Sequence, residues 1–279
     1  MIRNHEWARV LLALALTLAL GLALAFAVGA LAAPAAAAAA KSSAVDFSWN
    51  GALTAGQTVT IRGINGGIHA ELAPGGEASV TARKKAHRSD PDKVRIVAEK
   101  NGDGVTICVL YPDRQGRTGD DCESTHNQDT GKNDVSVDFQ VRLPKGVRLS
   151  SHTVNGSIDG QGLASEVVAN TVNGSVHLST SLSAEVSTVN GSIETSVGSL
   201  DGKGSLEFST VNGSIVLKLA KDVGAEVEAS TVNGHLSTDF PLTVSGKFGP
   251  RSIRGTIGAG GRTVKLSTVN GDIRLEKIE

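Results

Sequence analysis

Aromatic side chains are scarce: the 279 residues include six Phe, two Trp and one Tyr, 3% of the chain. Their scarcity leaves little to hold a sugar in an enzyme groove. Cysteine is confined to Cys108 and Cys122, with no C-x-x-C spacing to lower a thiol pKa. Charge of one sign is lacking too, since 27 Lys+Arg face 28 Asp+Glu. Nucleic-acid binding by counterion release needs a concentrated basic face, so no nucleic-acid partner is expected. The one basic run, Arg83, Lys84, Lys85, His87 and Arg88, would alternate between the faces of a strand. It reads as a solvated edge strand, with a weak contact to anionic lipid or glycan as the alternative.

Helical patterning is nearly confined to the N-terminus. Arg3 and Arg9 precede an uncharged stretch from Val10 to Ala33, and an Ala-rich run ends in an A-x-A pattern before Lys41. Residues 1–40 read as an export signal. The apolar run, 24 residues, is also long enough to span a bilayer, so an uncleaved anchor is the alternative and the only membrane contact expected. Export would place Cys108 and Cys122 where disulfides persist. A bridge between them would staple the polar loop 113–123, worth about 3 kcal/mol for a loop of roughly 15 residues.

What the chain does have is repetition. Thr-Val-Asn-Gly occurs at Thr153, Thr171, Thr188, Thr210, Thr231 and Thr268. From Asn155 the intervals to Asn173, Asn190, Asn212 and Asn233 are 18, 17, 22 and 21 residues; Asn270 follows 37 later. Ile253-Arg254-Gly255-Thr256-Ile257 divides that last gap into 21 and 16 and reads as a degenerate copy, and Ile64-Asn65-Gly66-Gly67-Ile68 is an upstream relative. A two-residue Asn-Gly hairpin would put Val189 and Ile193 on opposite faces. Passing straight through, the chain would place Val189, Gly191 and Ile193 on one face and Thr188, Asn190 and Ser192 on the other. The expected fold is therefore all-β: a single-chain β-solenoid of about 17–22 residues per rung, preceded by an antiparallel β region. Val, Gly and Ile would form inward columns; Thr, Asn and Ser would form polar ladders whose Asn amides bond rung to rung. Upstream the parity changes, since Phe208 and Val211 lie an odd number apart, and a corner or bulge at the Ser-Thr step would reconcile it. Asn155, Asn173, Asn190 and Asn212 match the glycosylation sequon, which the packing pattern already explains.

The expected organisation is residues 1–40 as signal or anchor, 41–150 as an N-terminal β region, and 151–279 as the solenoid. In the β region Ala78–Lys84 alternates, Asn101-Gly102-Asp103-Gly104 marks a hairpin, and Val135, Val137, Phe139, Val141 and Leu143 share one face. An exported chain with "VDFQVRLPKGVRLS" followed by serial "TVNGSI" units resembles the bacterial putative adhesin family, domain of unknown function 4097. That resemblance, from about Phe47 onward, implies a β-solenoid at the cell envelope and supplies no catalytic residue. The polar insertion 113–134 departs from its simplest pattern.

Metal and catalytic signatures are weak. Asp120, Asp121, Glu123, Asp129 and Asp134 fit no calcium loop, and His69, His126, His152, His177 and His235 show no paired ligand spacing. Glu194 and Asp272 could form a stacked acidic pair for glycan hydrolysis. The expected function is a non-enzymatic, exported, adhesin-like binding or scaffold module in the periplasm, on the surface or secreted, with no metal or cofactor. The candidate ladder residues are Asn155, Asn173, Asn190, Asn212, Asn233 and Asn270, with Gly156, Gly174, Gly191, Gly213, Gly234 and Gly271 beside them. An envelope polysaccharide or an envelope protein would be the partner. An anchored envelope-stress sensor and a glycan-active enzyme are the alternatives.

Overall fold

A computed structural model of the protein describes residues 45–123, 133–200, 206–244 and 251–278. The expected signal or anchor, residues 1–40, lies outside the described residues, as do His126 and Asp129. Strand is the dominant secondary structure among the described residues, with a 3-10 turn at Pro91–Lys93.

Short strands follow one another along the chain: β1 (Phe47–Ala52), β2 (Thr58–Arg62), β3 (Ile68–Leu72), β4 (Glu77–Lys85), β5 (Arg95–Asn101) and β6 (Gly104–Leu110). After the insertion come β7 (Ser136–Leu143), β8 (Arg148–His152), β9 (Ile158–Leu163), β10 (Val167–Asn170), β11 (Val176–Thr180), β12 (Ala184–Ser187) and β13 (Ile193–Val197). The remainder are β14 (Leu206–Asn212), β15 (Ile215–Leu219), β16 (Ala225–Asn233), β17 (Leu236–Thr238), β18 (Leu242–Val244), β19 (Ser252–Ile257), β20 (Arg262–Asn270) and β21 (Ile273–Lys277). They form two sheets, ordered β1-β4-β7-β3-β9-β11-β13-β15-β21-β17 and β18-β19-β16-β20-β14-β12-β10-β8-β2-β6-β5. Each repeat gives one strand to each sheet, and successive repeats pair in parallel. Both sheets contain strands from either side of residue 150.

Alternation explains the pairing. In the first sheet Ile68, Ile158, Val176, Ile193, Ile215 and Ile273 align as an inward column, and in the second Leu149, Val167, Ala184, Leu206 and Val264 do the same. All of them are buried. A one-residue slip would turn such a column out to solvent, so the register follows from the apolar alternation.

Three expectations need correction. The basic run is not on an edge: β4 lies between β1 and β7, and its charges are drawn into local bonds, Lys85 with Asp138 at 2.7 Å and Arg88 with Asp134 at 3.6 Å. The degenerate copy at Arg254 is not a rung. It belongs to β19, which runs antiparallel to β16, and Arg254 pairs with Glu228 at 2.8 Å. A guanidinium donates but cannot accept, so it cannot relay an amide ladder. Around β19 the order of the rungs departs from that of the sequence: β20 and β21 insert between β14/β15 and β16/β17. The third correction concerns the repeat itself and is given with the site.

One core position is chemically out of place. Thr195 lies between Leu178 and Leu217 in an inward column, fully buried, and its hydroxyl has no partner. Thr195→Val keeps the shape and removes the orphan hydroxyl, so it should stabilise the fold by about 1 kcal/mol, read from denaturant midpoints.

Candidate functional site

Thr-Val-Asn-Gly is where the chain leaves the second sheet and enters the first. Inward residues alternate up to the Thr, as in Leu206, Phe208 and Thr210, and burial resumes at the Ile after the Gly, as at Ile215. The motif is a corner, neither a hairpin nor a straight passage. The expected side-chain directions are therefore reversed at two positions. Thr153, Thr171, Thr188, Thr210, Thr231 and Thr268 are buried at 4–5% exposure, whereas Val154, Val172, Val189, Val211, Val232 and Val269 stand out at 37–54%. The odd Phe208 to Val211 spacing is not reconciled at the Ser-Thr step as expected: alternation runs on through the Thr, and the Val faces out.

Burying a threonine hydroxyl requires a partner. Each finds the glycine carbonyl of the adjoining rung: Thr171 to Gly156, Thr188 to Gly174, Thr210 to Gly191 and Thr268 to Gly213, all at 2.9 Å. Thr153 and Thr231 do the same with Gly66 and Gly271 at 3.1 and 3.0 Å.

The asparagines stay outside and bond to one another. Each Nδ2 donates to the Oδ1 of the preceding rung: Asn155 to Asn65, Asn173 to Asn155, Asn190 to Asn173, Asn212 to Asn190, Asn270 to Asn212 and Asn233 to Asn270, at 2.8–2.9 Å. The structure thus brings all six candidate asparagines into one ladder and adds Asn65 at its head. There, Asn65 hydrogen-bonds to Tyr111, whose own hydroxyl donates to the Val135 carbonyl at 3.0 Å. Burial pushes the Tyr111 phenol up to about 12 even though the Asn65 bonds pull it down.

The glycines are required by approach distance. A Cβ on Gly174, Gly191, Gly213 or Gly234 would fall inside the carbonyl of Gly156, Gly174, Gly191 or Gly271 respectively. Gly156 and Gly271 meet Gly66 and Gly213 in the same way.

The other candidates lie apart from the ladder. Cys108 and Cys122 are joined by a disulfide that holds the start of the insertion against Val97 and Leu110. Glu194 is bound by Lys218 at 2.6 Å, and this partner holds its carboxyl below the usual range. Asp272 accepts from the His235 backbone at 2.9 Å, and that bond lowers its pKa. The two acids do not form a shared pair in these contacts. Asp134, accepting from the backbone of Ser89 and Arg88, falls to about 2. His177 meets Asp159 at 3.2 Å, and His69 is registered against the same Asp159. His152 is partly buried on the second sheet, touching Ser150 and Asn170. Among the described residues, no group of three or more His, Cys, Asp or Glu is placed to hold a metal ion, and no helix is long and apolar enough to cross a membrane.

This geometry defines a class: parallel two-sheet β-solenoids whose corners stack through a glycine and asparagine motif. The Toastrack DUF4097 family matches residues 123–276, more than half of the sequence, and the chain belongs to it. Among solved structures, a putative cell adhesion protein from Clostridium sporogenes is 9% identical with a TM-score of 0.46, the match covering 83% of this chain and 99% of that one. A putative adhesin from Bacteroides fragilis is 10% identical with a TM-score of 0.27, covering 83% and 96%. No curated protein matches.

Asn190→Ala removes two amide bonds at an exposed position and should cost about 1–2 kcal/mol. Gly191→Ala drives a methyl into backbone and should cost about 3 kcal/mol or more, whereas Gly198→Ala, with open space around it, should be near neutral by the same denaturant titration.

Burial, and then the Arg62 charge, hold the His152 imidazole below its ordinary 6.5. As pH falls the unfolded chain takes up this proton first, so the stability is complete above 6.5 and declines below it. His152→Gln should flatten that decline in thermal midpoints measured across the same range.

Proposed function

We propose that this protein is a non-enzymatic, exported, adhesin-like β-solenoid that serves as a binding or scaffold module at the bacterial cell envelope. The observation that carries the reading is the corner ridge. Six valines stand 37–54% exposed in register beside the asparagine ladder, at the spacing of paired strands, about 4.8 Å. Exposed apolar groups scattered singly need no explanation, but an aligned row beside a row of amides is a surface built by repetition. Each interior Asn already spends one amide hydrogen and one lone pair on its neighbours, which leaves one of each to face a ligand. A repeating partner such as an envelope polysaccharide would meet this ridge through many weak contacts of equal spacing.

Other features support the same reading. The disulfide fits an oxidising compartment. A general acid for glycan cleavage needs a raised pKa, and Glu194 and Asp272 are both lowered by their partners.

The test is retention of the purified full chain on insoluble envelope polysaccharide, beside a variant carrying Val172→Ser, Val189→Ser and Val211→Ser. These side chains are exposed, so the thermal midpoint should hold while retention falls by about tenfold or more. Equal retention by an equally stable variant, absence of retention by the native chain, or turnover of the glycan would overturn the proposal. Specific capture of an envelope protein in place of glycan would favour the sensor reading.

A further inference from the structure

We propose that Asn233 is a site of spontaneous covalent modification, by cyclisation onto the Gly234 nitrogen, and that the stack protects the other ladder asparagines from the same reaction. Every ladder Asn precedes Gly, the residue whose missing side chain least hinders attack by its own backbone nitrogen. In that attack the Gly nitrogen gives its proton to solvent and bonds to the Asn Cγ. The Cγ–Nδ2 bond breaks, and the amide nitrogen takes up a proton and leaves as ammonia. Water then opens the five-membered imide at either carbonyl, yielding aspartate or isoaspartate, with nothing oxidised or reduced.

Inside the stack the attacking nitrogen is occupied. Gly156, Gly174 and Gly191 donate to the carbonyls of Asn173, Asn190 and Asn212 at 3.1 Å, and Gly213 and Gly271 to those of Asn270 and Asn233 at 3.0 Å. The amide under attack is also fixed, because each interior Asn side chain both donates and accepts along the ladder. Asn65, at the capped end, is held as well: Gly66 donates to the Asn155 carbonyl at 2.9 Å, and Asn155 donates to its Oδ1.

Asn233 differs on both counts. Its Nδ2 donates to Asn270 and its backbone carbonyl accepts from Gly271. Among the described residues, however, no donor reaches its Oδ1 and the Gly234 N–H reaches no acceptor. The neighbouring Val232 is 54% exposed against 37–39% for the other five corner valines, as expected at the end of a stack. Because the Asn270 rung is inserted one place inward, the fifth copy in sequence, not the sixth, bears this end. Conversion to aspartate would remove the amide hydrogen that bonds Asn270 and put a charge at the ladder terminus.

The experiment is incubation of the folded full chain at mildly alkaline pH, followed by peptide mapping with isoaspartate detection. Asn101-Gly102, in the exposed β5–β6 turn, is the internal reference, and incubation continues until it has reacted. Asn233 should convert along with it, while Asn155, Asn173, Asn190, Asn212 and Asn270 convert at least about tenfold more slowly, at the rate local opening allows. In concentrated urea the ladder sites should react at similar rates. Folded protein in which Asn233 resists as Asn190 does, or in which Asn190 reacts as fast as Asn233, would overturn the assignment.

Discussion

At each corner the carbonyl of one glycine occupies the space where the next glycine's side chain would begin, and the neighbouring bonds depend on that approach. A backbone this close can pass Gly N–H to the Asn carbonyl of the adjoining rung and Asn N–H to the Val carbonyl of the rung before. With the backbone fixed, the threonine hydroxyl falls within reach of the glycine carbonyl and the asparagine amides fall into line. Any side chain at the glycine position would separate the rungs there, and the threonine would then be a buried hydroxyl without a partner. The four residues of the motif thus have distinct tasks: Thr seals the interior, Val faces out, Asn links rungs, and Gly permits the contact.

Stacking of this kind leaves two ends, which are treated differently. At the head, Tyr111 meets Asn65, and β7 continues the first sheet beyond β3. At the other end the first sheet stops at the three residues of β17, while the second continues through β19 and β18. The inserted rung of β20 and β21 satisfies both its neighbours with the same motif, because identical corners place no constraint on which copy sits where. Local complementarity of the repeats permits either order.

Much of this was legible in the residues. The period, the all-β character, the Asn-to-Asn bonding and the kinship of Asn65-Gly66 all follow from spacing and amide chemistry. The direction of Val and Thr did not, because alternation was extended through the motif when the chain turns inside it. Thr looked polar and therefore outward, yet a hydroxyl with a backbone acceptor can be buried, and only the neighbouring rung supplies that acceptor. Arg254 matched the repeat by pattern but not by hydrogen-bonding capacity. The antiparallel placement of β19 is a long-range outcome that a count of residues between motifs cannot show. The basic run of β4 read as an edge because of its charges, whereas β1 pairs along one side of it and β7 along the other.

The surface this leaves for function is unlike the one a polar ladder would present. The threonine hydroxyls are turned inward, and the outward rows beside the motif's serines are isopropyl groups and half-satisfied amides, repeated along the stack. Rigidity of the corners is what would keep that spacing constant. Amide hydrogen exchange along the corners tests this most directly. Asn173, Gly174, Asn190, Gly191, Asn212 and Gly213 should exchange as slowly as Val176, Ile193 and Ile215 in the flanking strands, as members of one cooperative unit. Exchange of these corner amides at the rate of solvent-exposed loops, with the strands still protected, would contradict the stacked-corner description.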